Sequence, residues 1–193
     1  MPRKPDPTRK PELLGQILEH LRGRSLATVS FRTIAEALGV STYVFVYHFG
    51  NRAELIAEIV RAVVARNDAL LAVDVASLDR DAFGKHLTKV WHDVSTDRGR
   101  DLYRLELEAA LLETVAGDDQ GTARGSVERW LEHVGAWATA QGATAAEAKV
   151  ASRAFVDAFF GLQYDAIVTA EPRRASSAFK HAVEAFVTSI SPA

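Results

Sequence analysis

The fold of this chain is decided by residues 31–55, which read FRTIAEALGVSTYVFVYHFGNRAEL. Apolar residues recur in its first part with the spacing of an amphipathic helix: Phe31, Ile34, Ala35 and Leu38. Ser30 is a suitable N-cap for that helix, and Gly39 can adopt the left-handed conformation that ends one. Ser41 then offers a second N-cap, after which the apolar pattern resumes. The segment therefore predicts a helix-turn-helix, two short helices joined by a tight turn.

Helical patterns continue on both sides of this segment. A first helix before it is marked by apolar residues at helical spacing, Leu14, Ile17, Leu18 and Leu21. After it, Asn51 and Glu54 have the spacing of a capping box and predict a long helix to about Leu71. Five further helices are predicted at about 79–96, 101–115, 122–141, 144–170 and 173–190.

These nine helices predict an all-α protein with a three-helix head and a larger C-terminal helical bundle. We place the DNA-binding head at residues 1–52 and a ligand-binding and dimerisation domain at residues 53–193. The helix at 101–115 is apolar nearly all round, so it is predicted to lie in the middle of the bundle.

Composition narrows the class of protein. The 193 residues include no cysteine, which excludes disulfides and thiolate metal sites. No apolar run is long enough for a membrane span, and the basic N-terminus lacks the apolar part of a secretory signal, so a cytoplasmic location is expected. Residues 1–52 contain eight Lys and Arg residues and four acidic residues, so their net charge is +4. Because the net charge of the whole chain is −2, the remaining residues carry −6. A basic head suits contact with a polyanion, although a solvated charged surface would give the same bias.

The second helix of the motif has an outward side that needs an explanation. If Val40, Phe45 and Phe49 face inward, the opposite side carries Thr42, Tyr43, Val46 and Tyr47. Thymine methyl groups and base edges in a major groove would be partners for such side chains. The alternative is that the tyrosine rings cover the first helix.

The segment from Leu13 to Leu55 resembles the DNA-binding head of the tetracycline-repressor (TetR) family. The resemblance rests on the register of the motif, with Ile34-Ala35, then Gly39-Val40-Ser41, and later His48-Phe49, Asn51-Arg52 and Leu55. It covers about a quarter of the chain. Two positions depart from the family pattern: Tyr43 stands where a small residue is frequent, and Val46 replaces a common phosphate-binding tyrosine. The operator sequence therefore cannot be transferred from a relative.

The resemblance implies roles for several head residues. Arg32 matches a position from which some family members reach a guanine. Positions that usually contact phosphates are matched by Ser30, Thr33, His48 and Arg52. His48 could instead pack against the first helix. The sequence contains four further basic residues near the N-terminus: Arg3, Lys4, Arg9 and Lys10. They could form an arm that lies along the DNA, or they could belong to a solvated tail.

The last two helices are the candidates for a dimer face, as in the family's four-helix bundle. The residues predicted to form it are Phe155, Phe159, Leu162, Phe179, Val183 and Phe186. The alternative is that these apolar stripes pack inside one subunit.

The middle helices concentrate aromatic residues with a few polar ones, as expected of a ligand pocket. The predicted ligand-binding residues are Phe83, Trp91, His92, Tyr103, Glu106, Trp130, Trp137 and Phe160. Ordinary core packing is the alternative for each aromatic residue. Glu106 stands out because a carboxylate on an apolar helix must find a partner, become protonated or face a cavity.

Together these features predict a dimeric repressor that holds palindromic operator DNA and is released by a small, largely apolar effector. No phosphate-binding loop, nucleophile elbow or metal-binding histidine spacing is present in the sequence, so we expect no enzyme activity, catalytic residue, metal or cofactor. The alternative is a helical module that binds small molecules or partner proteins without binding DNA.

Overall fold

The structure, a computed structural model, describes residues 8–116 and 122–190. Those residues form nine α-helices and no β-strand, which confirms the predicted all-α fold. The helices are α1 (Arg9–His20), α2 (Phe31–Leu38), α3 (Thr42–Phe49), α4 (Arg52–Leu71), α5 (Arg80–Ser95), α6 (Asp97–Ala116), α7 (Thr122–Ala140), α8 (Ala145–Val168) and α9 (Pro172–Ser189). Two short 3-10 turns that the sequence pattern did not reveal lie at Leu26–Thr28 and Val75–Ser77.

The helix-turn-helix has the predicted ends. The Ser30 hydroxyl accepts a hydrogen bond from the Thr33 amide at 3.1 Å, which satisfies a free N–H group at the start of α2. Gly39 ends that helix with a φ of 64°, a conformation that glycine adopts without steric cost. The Ser41 hydroxyl accepts from the Tyr43 amide at 3.2 Å and caps α3. Local sequence signals therefore set the length of both helices.

The joint between α5 and α6 differs from the prediction. α6 begins at Asp97, four residues earlier than expected, so Gly99 lies in its first turn and not in a connection. A Cβ atom at Gly99 would lie 2.2 Å from the carbonyl oxygen of Val94 at the end of α5. Glycine therefore permits a close approach of two helix ends that a periodicity argument cannot detect.

α6 lies in the middle of the molecule, as predicted, where it packs against α4, α5, α7 and α8. Its C-terminal part differs from the prediction, because Leu111 and Val115 are exposed. The first part of α6 is the part that positions a candidate site.

Two apolar clusters form the interior. The body cluster joins α5, α7, α8 and α9. The head cluster joins Phe45 and Phe49 of α3 with residues of α1, of α4 and of α6, where Leu105 contributes. The head is thus packed directly onto the two helices α4 and α6. The division into domains at residues 52 and 53 stays a prediction.

Polar contacts also tie α6 to the connection between α1 and α2. The Glu108 carboxylate accepts hydrogen bonds from the Ser25 hydroxyl at 2.7 Å and from the Leu26 amide at 2.6 Å. Arg104 donates to the Leu21 carbonyl at 3.0 Å and pairs with Glu108. Any shift of α6 along its axis must therefore move or break these contacts with the head.

Candidate nucleic-acid interface

α3 presents an open side to solvent. Tyr43 is 71% exposed, Tyr47 is 59% exposed and Val46 is 49% exposed, while Phe45 and Phe49 on the opposite side are buried. Thr42 is also exposed. These large side chains therefore do not cover α1, and they form a surface that a DNA groove could accept.

Arg32 projects from α2 beside this surface. Its side chain is 84% exposed and forms an ion pair with Glu36, one turn further along α2, at 3.0 Å. An exposed pair of this kind contributes little to stability. The guanidinium can therefore exchange Glu36 for a base edge or a phosphate at small cost.

The smaller polar residues at the start of α2 are already engaged. The Ser30 amide donates to the Thr33 hydroxyl at 3.1 Å, which completes a capping box with the reciprocal bond between the same residues. Both hydroxyl groups stay near the surface, so they retain lone pairs or protons for a phosphate. The His48 ring is half-buried, with its centroid 4.9 Å from that of Tyr47 in an edge contact.

Arg52 has a role inside the head that sequence reasoning did not foresee. Its Nε donates to the Val29 carbonyl at 2.7 Å, and its Nη2 donates to the carbonyls of Ala27 and Leu26 at 3.3 and 3.4 Å. These bonds satisfy acceptors around the first 3-10 turn. The structure thus places the Arg52 guanidinium against the protein backbone, where it joins the start of α4 to the α1–α2 connection.

The predicted basic arm lies only partly within the described residues. Arg3 and Lys4 lie outside them. Arg9 and Lys10 belong to α1, where Arg9 pairs with Glu12 at 3.4 Å and Lys10 pairs with Glu58 of α4 at 2.6 Å. Lys10 therefore fastens α1 to α4 in this structure and is not part of an extended arm.

Residues 14–59 match the family model described as bacterial regulatory proteins, tetR family. The match identifies the N-terminal head as a DNA-binding domain of the tetR type. The match spans most of α1, all of α2 and α3 and the start of α4, and it covers 46 of the 193 residues. It supports a DNA-binding transcriptional regulator of the tetR family, with α2 and α3 as the helix-turn-helix. No curated protein matches the chain.

Two further features bear on its class. No helix within the described part of the chain has the length and apolar character to cross a membrane. Nor do the described residues bring together three or more side chains suited to hold a metal ion. TetR regulators are generally DNA-binding proteins and not enzymes.

A small cavity lies between α4, α6, α7 and α8. Four of the predicted ligand-binding residues line it: Tyr103, Glu106, Trp130 and Phe160. The Tyr103 hydroxyl donates to the Phe160 carbonyl at 3.1 Å, and burial raises the pKa of Tyr103. The cavity volume is about 10 Å³, room for about one water molecule. Any larger ligand must separate the helices that form its walls.

Two polar residues of this cavity were missed by the sequence analysis. Arg66 of α4 and Gln163 of α8 line it together with Glu106. Each one occupies the inward stripe of its helix, since Arg66 follows Ile59 and Val63, and Gln163 follows Phe159. A polar residue within an apolar helical stripe is the signal that could have identified both.

The other predicted ligand residues lie elsewhere. The Phe83 and Trp137 rings stack at 4.1 Å within the body cluster, and Trp91 stacks on Phe179 at 4.4 Å. His92 lies at the surface. The structure does not bring these four residues to the cavity, because the first three fill the core, which was the alternative for each aromatic residue.

The predicted dimer residues also lie inside the subunit. Phe155, Phe159, Phe179, Val183 and Phe186 are buried in the body cluster, and Leu162 is half-buried against it. Side chains buried within one chain cannot supply the surface of an interface. This placement matches the alternative, in which the apolar stripes of α8 and α9 pack against each other.

Proposed function

We propose that this TetR regulator is a repressor that binds a palindromic operator as a dimer and is released by a small, largely apolar effector. Such a protein acts where the DNA is, so a cytoplasmic location is part of the proposal. The observation that carries it is the open side of α3, formed by Tyr43, Val46 and Tyr47. A large, mostly apolar surface along a recognition helix has a physical use in the major groove, where thymine methyl groups are available.

A dimer is proposed because a two-helix reader contacts too few base pairs for specificity on its own. The candidate dimer face is the exposed side of α8, in place of the buried residues that the sequence predicted for it. One stripe of that helix contains Val150, Ala154, Gly161, Tyr164 and Val168, all exposed and within a narrow sector of the helix surface. Ala154 and Gly161, on either side of the exposed Asp157 that pairs with Arg153, would allow close approach of a second copy. Exposed alanines on α9, Ala178 and Ala185, extend the face.

Release of DNA is proposed to follow from the small size of the cavity in this structure. An effector larger than water can enter only if α4, α6 and α8 move apart, so binding itself changes the position of α4. α4 begins three residues after the end of α3, and its motion would alter the distance between the two recognition helices of a dimer. Glu108 and Arg104 provide a second connection, from α6 to the head.

The DNA-binding part is tested with a matched pair of arginine variants. Arg32 and Arg124 are both exposed, and each pairs with a glutamate four residues further along its helix. We expect Arg32→Ala to weaken binding to the DNA upstream of the protein's own gene by roughly tenfold or more, since a bidentate arginine contact contributes about 1–3 kcal/mol. Arg124→Ala should leave the affinity unchanged. Fluorescence anisotropy at two salt concentrations measures both affinity and its salt dependence.

Two outcomes would count against this assignment. If the wild-type protein shows no salt-dependent, sequence-selective binding to that DNA, the alternative of a helical module without DNA binding would be preferred. If Arg32→Ala and Tyr47→Ala both retain full operator affinity, the outward side of α2 and α3 is not the reading surface.

A further inference from the structure

One polar residue that lines the cavity has no hydrogen-bond partner. Gln163 is only 6% exposed, and its side chain makes no hydrogen bond with any part of the chain that the structure describes. A ligand that accepts a hydrogen bond from the Gln163 amide would give this donor a partner.

Arg66 also lines the cavity, and most of its donors are available. Its one described hydrogen bond, from Nη2 to the Asp93 carbonyl, is long at 3.4 Å, whereas a guanidinium has five N–H donors. Burial lowers the pKa of Arg66 by more than the nearby Glu106 and Asp93 raise it. Its positive charge is therefore less well stabilised here than in water, and an anion beside it would be favoured.

Glu106 is the other charged residue of the cavity and could in principle attract a cation instead. It already has an interaction partner within the chain, unlike Gln163. The lining groups that lack a strong partner are therefore hydrogen-bond donors of Arg66 and the amide of Gln163. This difference favours an anionic ligand over a cationic one.

The remaining walls are aromatic. The Trp130 and Phe159 rings lie 4.9 Å apart, Phe159 and Phe160 lie 5.4 Å apart, and Tyr103 stacks on Phe160 at 5.9 Å. Rings at these separations can open to accept a further planar ring in stacked or edge contact. The cavity thus combines hydrogen-bond donors for an anion with a surface for a flat apolar group.

We propose that the effector is a small aromatic carboxylate, whose carboxylate binds Arg66 and the Gln163 amide while its ring lies among Trp130, Phe159 and Phe160. This assignment rests on the proposed function, because it identifies the cavity as the effector site. A single negative charge is required, since Glu106 also lines the cavity and would repel a more highly charged acid.

The test compares three probes of similar shape: benzoate, benzamide and benzylamine, which are anionic, neutral and cationic at neutral pH. Binding is measured by calorimetry and by the thermal shift of the full chain. We expect benzoate to bind and the other two to bind at least roughly tenfold more weakly, as expected for loss of a charged hydrogen bond. Arg66→Gln and Gln163→Leu should each weaken benzoate binding, whereas Arg124→Gln on the exposed side of α7 should not.

Each alternative result has a distinct meaning. Equal binding of benzamide or tighter binding of benzylamine would overturn the anionic assignment. If circular dichroism shows that Arg66→Gln is unfolded, its loss of benzoate binding carries no information, and Gln163→Leu becomes the deciding variant. Full benzoate affinity in Gln163→Leu would then overturn the proposal. If none of the probes binds while operator DNA is still bound, the ligand class is wrong and the regulator assignment is unaffected.

Discussion

Two arginines of the head with similar expected roles have different surroundings. The family resemblance predicts DNA contacts for both Arg32 and Arg52, but the Arg32 side chain is 84% exposed and pairs only with the exposed Glu36. The Arg52 guanidinium instead donates to the backbone carbonyls of Val29, Ala27 and Leu26. At the residue scale, hydrogen-bond partners decide whether a basic side chain stabilises the fold or is available to DNA.

We predict that Arg52→Gln lowers the free energy of unfolding by about 1–2 kcal/mol, because charged hydrogen bonds to carbonyls are lost. For a chain of this length the melting temperature should fall by roughly 2–8 °C. Arg32→Gln loses only an exposed helix pair, with an expected cost of about 0.3–0.5 kcal/mol. Chemical denaturation of both variants measures the difference. Equal stability of the two variants would show that Arg52 does not hold the α1–α2 connection.

Helix packing explains why two glycines within helices have different effects on stability. Gly15 lies in α1 with no atom within 4 Å of the place where a Cβ would stand, whereas Gly99 lies against the end of α5. Glycine lowers the stability of a helix unless close packing requires it. At the element scale, Gly99 thus sets how tightly α5 turns into α6, and it also lines the cavity.

We predict opposite changes for alanine at these two positions. Gly15→Ala should raise the free energy of unfolding by about 0.5–1 kcal/mol through helix propensity. Gly99→Ala should lower it by about 1–3 kcal/mol, since the new methyl group would overlap the Val94 carbonyl and the helices would have to separate. Urea denaturation of the two variants provides the measurement. A gain in stability from Gly99→Ala would contradict the close approach of α5 and α6.

At the scale of the whole molecule, the proposed dimer depends on how two copies of the chain meet. Buried stripes hold α8 and α9 together within one subunit, and the exposed stripe of α8 is left for a partner. Gly161 lies near the middle of that stripe with open space around it. A large side chain there would be tolerated in one subunit but would obstruct close packing of two.

We therefore predict that Gly161→Arg gives a folded monomer with much weaker operator binding. Gly15→Arg is the control, since Gly15 is also open to solvent but lies on α1, away from the stripe. Light scattering coupled to size-exclusion chromatography gives the mass of each variant, and circular dichroism reports helix content. A dimer of unchanged stability in Gly161→Arg would exclude this side of α8 as the interface.

The sequence by itself determined the helices and the motif. Capping residues such as Ser30, Ser41 and Asn51, with Gly39, act on neighbouring backbone groups, so their effect can be predicted from local order along the chain. The outward side of α3 followed in the same way, because helical periodicity assigns residues to opposite faces once one face is apolar.

Only the tertiary structure decided which polar groups meet and which apolar stripes face inward. Periodicity identified the stripes containing Phe155 and Phe186 but could not tell whether a stripe packs within one subunit or against another, because both bury the same surface. Arg66 and Gln163 are 97 residues apart in sequence, and only the packing of α4 and of α8 against α6 places them at one cavity. Local forces act over a few residues and fix helices, whereas such a site depends on long-range packing.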